Sequence, residues 1–276
     1  MSTDEFWKSK IAEVSSTLER ADPKPAISCH DLTASALAST IDHTLLRPDA
    51  TRDQVAELCD EAVRYGFAAV CVRVDFVALA VARLQDAPAT KVACVVGFHE
   101  GTHATAAKVA EAQAAVAAGA AELDVVLNRE TVQAGTLASA HEELKALRSA
   151  APPPVVLKLI LETSQLSRDE VIAATVIAGY AGFDFVKTST GFCGRGASVE
   201  DVLLMNRVAT ALSQRDDLGE FKGVKMKVKA SGGVRSLEDA KKMLDAGAER
   251  IGTSGGIRIM KDYLGEGSSE PAGSGY

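Results

Sequence analysis

Three lysines stand inside short apolar segments, where lysine is seldom found. Lys158 lies in VVLKLILET, Lys187 in FDFVKTSTG and Lys229 in KMKVKASGG. A single strand lysine needs no special account, because its stem can run along apolar surface with the ammonium in water. Three in successive segments, with Asp124 nearby in ELDVVLN, call for more. Crowded ammonium groups repel, which lowers a pKa and frees an amine to act as a nucleophile. The matching reaction is a Schiff base with a carbonyl substrate, and Asp124 can balance charge and exchange protons. Asp42, in STIDHTLL, is a further polar residue in an apolar segment, and the adjacent His43 alternates to the opposite face. Lys225, Lys227 and Lys229 share one parity, so alternation does not single out Lys229. Its distinction is a bordering glycine loop; Lys225 is expected at the far end of the strand, with Lys227 between.

The second constellation is glycine-rich. SGGVRS (Ser231–Ser236) follows the Lys229 segment, and GTSGG (Gly252–Gly256) opens a short final helix, IRIMKDYL. Backbone N–H groups at such loops and helix starts bind phosphate. Arg235 adds charge, and STGFCGRG (Ser189–Gly196) is a third loop of this type. An amine nucleophile, an acid/base carboxylate and a phosphate cradle together suggest carbon–carbon bond chemistry on a phosphorylated sugar or aldehyde, with no metal or other cofactor.

These residues need a scaffold that brings distant segments together. Candidate strands are Ser39–Leu46, Ala68–Val74, Lys91–Gly97, Glu122–Leu127, Val155–Leu161, Asp184–Lys187, Lys225–Ala230 and Arg250–Thr253. Several are apolar on both faces, as parallel strands covered on both sides should be. Helical segments lie between them, opened by Thr51, Ser198 and Ser236 and closed by Gly66, Gly119, Gly182 and Gly247. Eight β/α units build either an open doubly wound sheet or a closed (β/α)8 barrel, and eight favour closure because it removes sheet edges. In a barrel the site lies at the C-terminal strand ends, where these lysines and glycine loops would converge.

Composition is compatible with this. The chain has 276 residues, 47% hydrophobic and 24% charged, and a single (β/α)8 domain typically takes about 200–250. The division expected is a helical extension over 1–37 (helix Glu5–Leu18, then a DPKP break), the barrel over 38–265 and a flexible tail over 266–276. The net charge of −7 argues against nucleic-acid or anionic-membrane partners in general. Five cysteines without a CxxC pair predict neither a disulfide framework nor a metal site. Cys71, on the second strand, either faces the site or packs as a small buried hydrophobe, and the second reading is favoured. With no signal peptide and no apolar run of membrane length, a cytoplasmic protein is expected.

The motifs IDHTLL, LDVVLN, LKLILET, KTSTGF and KVKASGGVRSLEDA, in this order from about Ser39 to about Met260, resemble the deoxyribose-phosphate aldolase family. That resemblance implies a metal-independent class I aldolase, a carbon–carbon lyase on a (β/α)8 TIM barrel. It would cleave 2-deoxy-D-ribose 5-phosphate reversibly to D-glyceraldehyde 3-phosphate and acetaldehyde, in carbohydrate and deoxyribonucleotide catabolism. By motif, Lys187 would form the Schiff base, Lys229 would lower its pKa, and Asp124 would join Lys229 and a water in proton transfer. Asp42, Lys158 and Thr190 match polar positions around the substrate. Gly191, Gly232, Gly233, Arg235, Gly252 and Ser254 match the phosphate site. Some members end in a tyrosine that reaches the active site, which makes Tyr276 a further catalytic candidate.

Three positions depart from the family pattern: GFHEG (with His99 and Glu100) where GFPxG is common, Phe192 where some members have lysine, and Gly255 where serine is frequent. The expected partners are a small sugar phosphate and other copies of the chain, as a dimer or tetramer. A transaldolase-like Schiff-base enzyme and a sugar-phosphate sensor without turnover are the competing readings.

Overall fold

A computed structural model describes residues 2–23, 25, 27, 29, 32–219 and 222–266. Its centre is a closed parallel barrel in which every strand pairs with its sequence neighbours and the last returns to the first. The strands are β1 (Ile41–Thr44), β2 (Ala69–Val72), β3 (Lys91–Val96), β4 (Glu122–Val126), β5 (Val156–Ile160), β6 (Phe185–Lys187), β7 (Lys227–Ser231) and β8 (Arg250–Thr253). The barrel is thus the closed one of the two architectures that eight β/α units allow.

The helices form where their ends are defined. Helix α3 (Arg52–Tyr65) follows Thr51, whose side chain and that of Gln54 cap each other's backbone N–H, and it buries Val55, Leu58, Cys59 and Ala62 along one stripe. The same reciprocal cap opens α8 (Arg168–Tyr180) at Ser167 and α10 (Leu237–Asp245) at Ser236. Gly66 ends α3 in the left-handed region, where a side chain would be strained. Outward-facing Val70, Cys94, Leu123, Leu157, Val186, Val228 and Ile251 pack under the helices as one continuous core.

Within the N-terminal extension, the helix differs from its expected bounds of Glu5–Leu18. Helix α1 is Asp4–Ser15, capped by Thr3, and Leu18 falls in a separate 3-10 turn. The Ser16 and Thr17 hydroxyls bond back to the carbonyls of Glu13 and Val14, which competes with continued helix. Helix α1 lies against α7 (Leu137–Ala150), α8 and α9 (Val199–Ser213). Trp7 is buried there, its ring 4.3 Å from His141 and 5.5 Å from Tyr180.

Candidate active site

Strand register decides which side chains meet inside the barrel. Asp124 lies opposite Lys158 on β5, and Lys187 on β6 lies opposite Lys229 on β7. All four point inward and are buried, as is Asp42 of β1. Asp124 is the hub. Its Oδ1 accepts from Lys158 Nζ at 2.8 Å, while its Oδ2 accepts from both Lys187 Nζ and Lys229 Nζ, each at 2.8 Å. Lys229 also bonds Asp42, which Lys158 approaches at 3.6 Å.

Two residues complete this cluster that the sequence reading did not assign. Glu122, two positions before Asp124 on the same face of β4, accepts from Lys158. Arg250, at the start of β8, lies opposite Lys229. Its Nε donates to Asp42 Oδ1 at 2.7 Å, and its terminal nitrogens reach Glu122 at 3.1 and 3.3 Å. Buried charges persist only when paired and hydrogen-bonded, which is the condition this lattice meets. Burial alone would raise the carboxylate pKa values. The cations outweigh it: Lys158, Lys187 and Lys229 hold Asp124 well below the usual carboxylate range, and Arg250, Lys229 and Lys158 do so for Asp42. Burial likewise opposes a charged Lys229, but Asp124 and Asp42 win and hold its ammonium above the ordinary lysine value.

The remaining lysines of β7 separate clearly. Lys227 begins the strand at the barrel floor, exposed, with its ammonium over the Phe185 ring, and Lys225 precedes the strand. Neither joins the buried cluster, because pairing with β6 starts at Phe185 and Lys227. His43 faces outward as expected and meets Glu61 of α3 at 2.7 Å. Cys71 Sγ is 4.0 Å from Asp124 Oδ2, and burial first, then that carboxylate, pushes its thiol up to about 11. It is therefore a neutral thiol on the wall of the site at neutral pH.

Thr190 is also buried, three residues after Lys187. Its hydroxyl donates to Glu162, whose carboxylate also accepts the Thr190 N–H at 3.1 Å. Glu162 directly follows the apolar segment of β5 and sits in the left-handed region (φ 58°). It is a third residue that motif reading passed over. With the Thr190 proton committed to Glu162 and the oxygen accepting from Phe192 N–H at 3.1 Å, the hydroxyl presents its remaining lone pair as an acceptor.

The glycine loops after β6, β7 and β8 lie side by side. The Ala197 N–H donates to Gly232 O at 3.0 Å, and a Cβ on Gly232 would stand 2.8 Å from Gly196 Cα. Gly191, Gly232 and Gly233 all have positive φ. Arg235 and Ser254 are exposed beside this rim, and helix α11 (Gly256–Leu264) begins next to it. Gly252 is different: it lies within β8, where a Cβ would stand 2.8 Å from both Lys229 Cε and Ser231 Cβ. Its bareness makes room for the Lys229 stem. The departures at His99 and Phe192 meet each other across the mouth, with stacked rings 5.2 Å apart and Phe98 edge-on to Phe192 at 5.1 Å. Phe98 and Phe192 pack against the apolar part of the interior, Leu46, Ala69, Cys71, Ala93 and Val95. Tyr276 lies outside the described residues.

Buried amines at a carboxylate hub, beneath a rim of glycine loops, can form an imine and move protons beside it. Residues 36–264 match the model of a family described as DeoC/LacD family aldolase. The chain is 44% identical to the deoxyribose-phosphate aldolase of Coccidioides immitis over 259 residues, 94% of this chain and 92% of that protein. It is 44% identical to the deoxyribose-phosphate aldolase of Halalkalibacterium halodurans over 84% of this chain and 98% of that one. Among solved structures, a putative deoxyribose-phosphate aldolase from Coccidioides immitis superposes with a TM-score of 0.86 at 42% identity, over 95% of this chain and 98% of that one. A tetrameric deoxyribose phosphate aldolase from Aeropyrum pernix gives 0.73 at 32% identity, over 85% and 94%.

Proposed function

The chain belongs to the DeoC/LacD family of aldolases, and on that premise we propose how its residues carry out the reaction. It cleaves 2-deoxy-D-ribose 5-phosphate reversibly to D-glyceraldehyde 3-phosphate and acetaldehyde through a lysine Schiff base. The proposal is that Lys187 is that lysine. The observation that carries it is the single carboxylate oxygen of Asp124 that accepts from both Lys187 and Lys229. That arrangement holds an ammonium beside the amine that must be neutral to attack.

The Lys187 amine adds to C1 of the open-chain aldehyde, and loss of water leaves an iminium ion. The bond that breaks is C2–C3, because only its electrons can flow into the C1–N system. The C3 hydroxyl gives up its proton and becomes the aldehyde of D-glyceraldehyde 3-phosphate. The enamine that remains takes a proton at C2, and hydrolysis of the resulting imine releases acetaldehyde and the free amine. Asp124 and Lys229 are the groups placed to accept and return these protons. Asp42 and Lys158 hold that pair in position. Thr190, fixed by Glu162, accepts a hydrogen bond from a substrate hydroxyl. Borohydride reduction with acetaldehyde or deoxyribose 5-phosphate, followed by peptide mapping, should place the adduct on Lys187. An adduct on another lysine, or none, would overturn the assignment.

The phosphate belongs, in this reading, on the rim formed by Gly191, Gly232 and Gly233 with Arg235 and Ser254, and Gly252 contributes by leaving space for Lys229. Gly196→Ala tests the rim. Its Cβ would fall 2.4 Å from Gly232 O at a φ of +77°, so the two loops must separate. We expect KM for deoxyribose 5-phosphate to rise roughly tenfold or more, with borohydride trapping of acetaldehyde unchanged. An unchanged KM would remove the phosphate from this rim.

The division into an extension over 1–37, a barrel over 38–265 and a tail over 266–276 is part of the same proposal, as is a catalytic part for Tyr276. The described residues include no helix long and apolar enough to cross a membrane. Cytoplasmic residence and assembly as a dimer or tetramer fit a small-molecule enzyme of this kind.

A further inference from the structure

Among the described residues, the ion-paired cluster inside the barrel holds four basic side chains, Lys158, Lys187, Lys229 and Arg250, against three carboxylates, Asp42, Glu122 and Asp124. Fully ionised, it carries one uncompensated positive charge in a buried space. A buried group with unbalanced charge neutralises rather than persists. The one that neutralises must be an amine, since a guanidinium stays protonated. Which amine follows from its partners. Lys158 is within reach of Glu122, Asp124 and Asp42, and Lys229 is bonded to Asp42 and Asp124. Among the described residues Lys187 is bonded to Asp124 alone, through an oxygen it shares with Lys229. It is the amine of the three with the fewest carboxylate partners.

We propose that Arg250 and Glu122 are positioning residues that set the charge count of the cluster, and so make Lys187 its neutral amine. Neither needs to touch substrate. Arg250 supplies the permanent fourth cation and occupies Asp42 and Glu122. Glu122 keeps the surplus at one by pairing with Arg250 and Lys158. The charged and titratable groups of the cluster around Lys187 are Asp124, which it contacts, and Glu122 of β4, Lys158 of β5, Lys229 of β7, Arg250 of β8 and Asp42 of β1, linked to it through Asp124, with the Cys71 thiol of β2 beside Asp124; Ala93 and Val95 of β3 carry no charge. Glu162 is bonded to Thr190 and is common to every variant below.

The inference rests on Lys187 being the Schiff-base lysine, so the test first asks for its borohydride adduct in the parent enzyme. The acid limb of the kcat/KM profile, and of the trapping rate, reports the pKa of the free amine. Arg250→Gln makes the cluster neutral when fully ionised and should move that limb up by about one pH unit. Glu122→Gln leaves a surplus of two and should move it down by a similar amount. The double variant E122Q/R250Q restores a surplus of one and should return the limb to within half a unit of the parent, about a threefold change in rate at fixed pH. Arg250→Lys should leave it near the parent position. If Arg250→Gln does not fold, Glu122→Gln and the double variant still decide. A limb that stays put in Glu122→Gln, moves the same way in both singles, or stays displaced in the double variant overturns the charge count. A parent adduct elsewhere than Lys187 instead overturns the catalytic assignment beneath it.

Discussion

Replacing Lys187 by leucine should abolish cleavage of deoxyribose 5-phosphate while leaving the barrel as stable as the parent, or slightly more so. Removal of a covalent nucleophile costs about four orders of magnitude or more in turnover. Stability should not follow, because the cluster carries one cation more than its carboxylates require. Without Lys187, Asp124 still accepts from Lys158 and Lys229, and the remaining charges balance. Removing one buried polar group costs much stability only where it leaves a charged partner unpaired, and here none is left so. A coupled assay for glyceraldehyde 3-phosphate and a thermal melt read the two halves. A folded variant with more than a hundredth of the parent rate would show that another amine does the chemistry. A melt lowered by more than about 10 °C would show Lys187 to be structural.

The two outcomes separate cleanly only because function and stability fall on different bonds of one network. How much of that network is legible in the sequence follows from the range of each signal. The strands were legible within one or two residues: β4 is Glu122–Val126 against the expected Glu122–Leu127, and β8 is Arg250–Thr253 as expected. Runs apolar on both faces, bounded by glycines and caps, are local features, and sequence carries local features directly. The helix of the extension ended early because two hydroxyls bond back to its last turn, a choice that apolar spacing does not record.

Partnership between charges was less legible. Lys187, Lys229 and Asp124 stood out because each interrupts an apolar run. Arg250 and Glu122 sit at strand starts, where a charged residue ordinarily reaches solvent, so nothing local marks them. Their burial comes from closure of the barrel, which brings the first and last strands together and sets Arg250 beside Asp42. One clue was available: Glu122 shares the parity of Asp124 on a strand otherwise apolar. Gly252 shows a local motif carrying a second, non-local constraint. Its place in GTSGG suggests a phosphate loop, and its missing side chain within β8 also leaves room for the Lys229 stem, which only the closed barrel reveals.

Asp124→Asn should be the most damaging single change to the fold of the site, and its cost should depend on pH. The amide keeps the shape but removes the charge that Lys158, Lys187 and Lys229 share. Breaking a buried ion pair from one side typically costs about 3–5 kcal/mol, because the charges left behind are uncompensated. Turnover should fall as well, since the hub for proton exchange is lost. The pH dependence distinguishes charge from shape. In the parent, burial pushes the Asp124 carboxyl up, but the ammonium groups bonded to it, Lys158 foremost, hold it well below the usual carboxylate range. A carboxyl with a depressed folded pKa contributes stability that is fully present above its unfolded pKa of about 3.9 and is lost as pH falls toward the folded value. Asparagine does not titrate, so that contribution is missing from the variant at every pH. Urea unfolding at pH 7, 4 and 3 should therefore show a wide gap between parent and variant at pH 7 that narrows on acidification, the parent losing more stability than the variant. A gap of constant width from pH 7 to 3 would mean that the carboxylate acts through its hydrogen-bond geometry, and that the lysines do not depend on its charge.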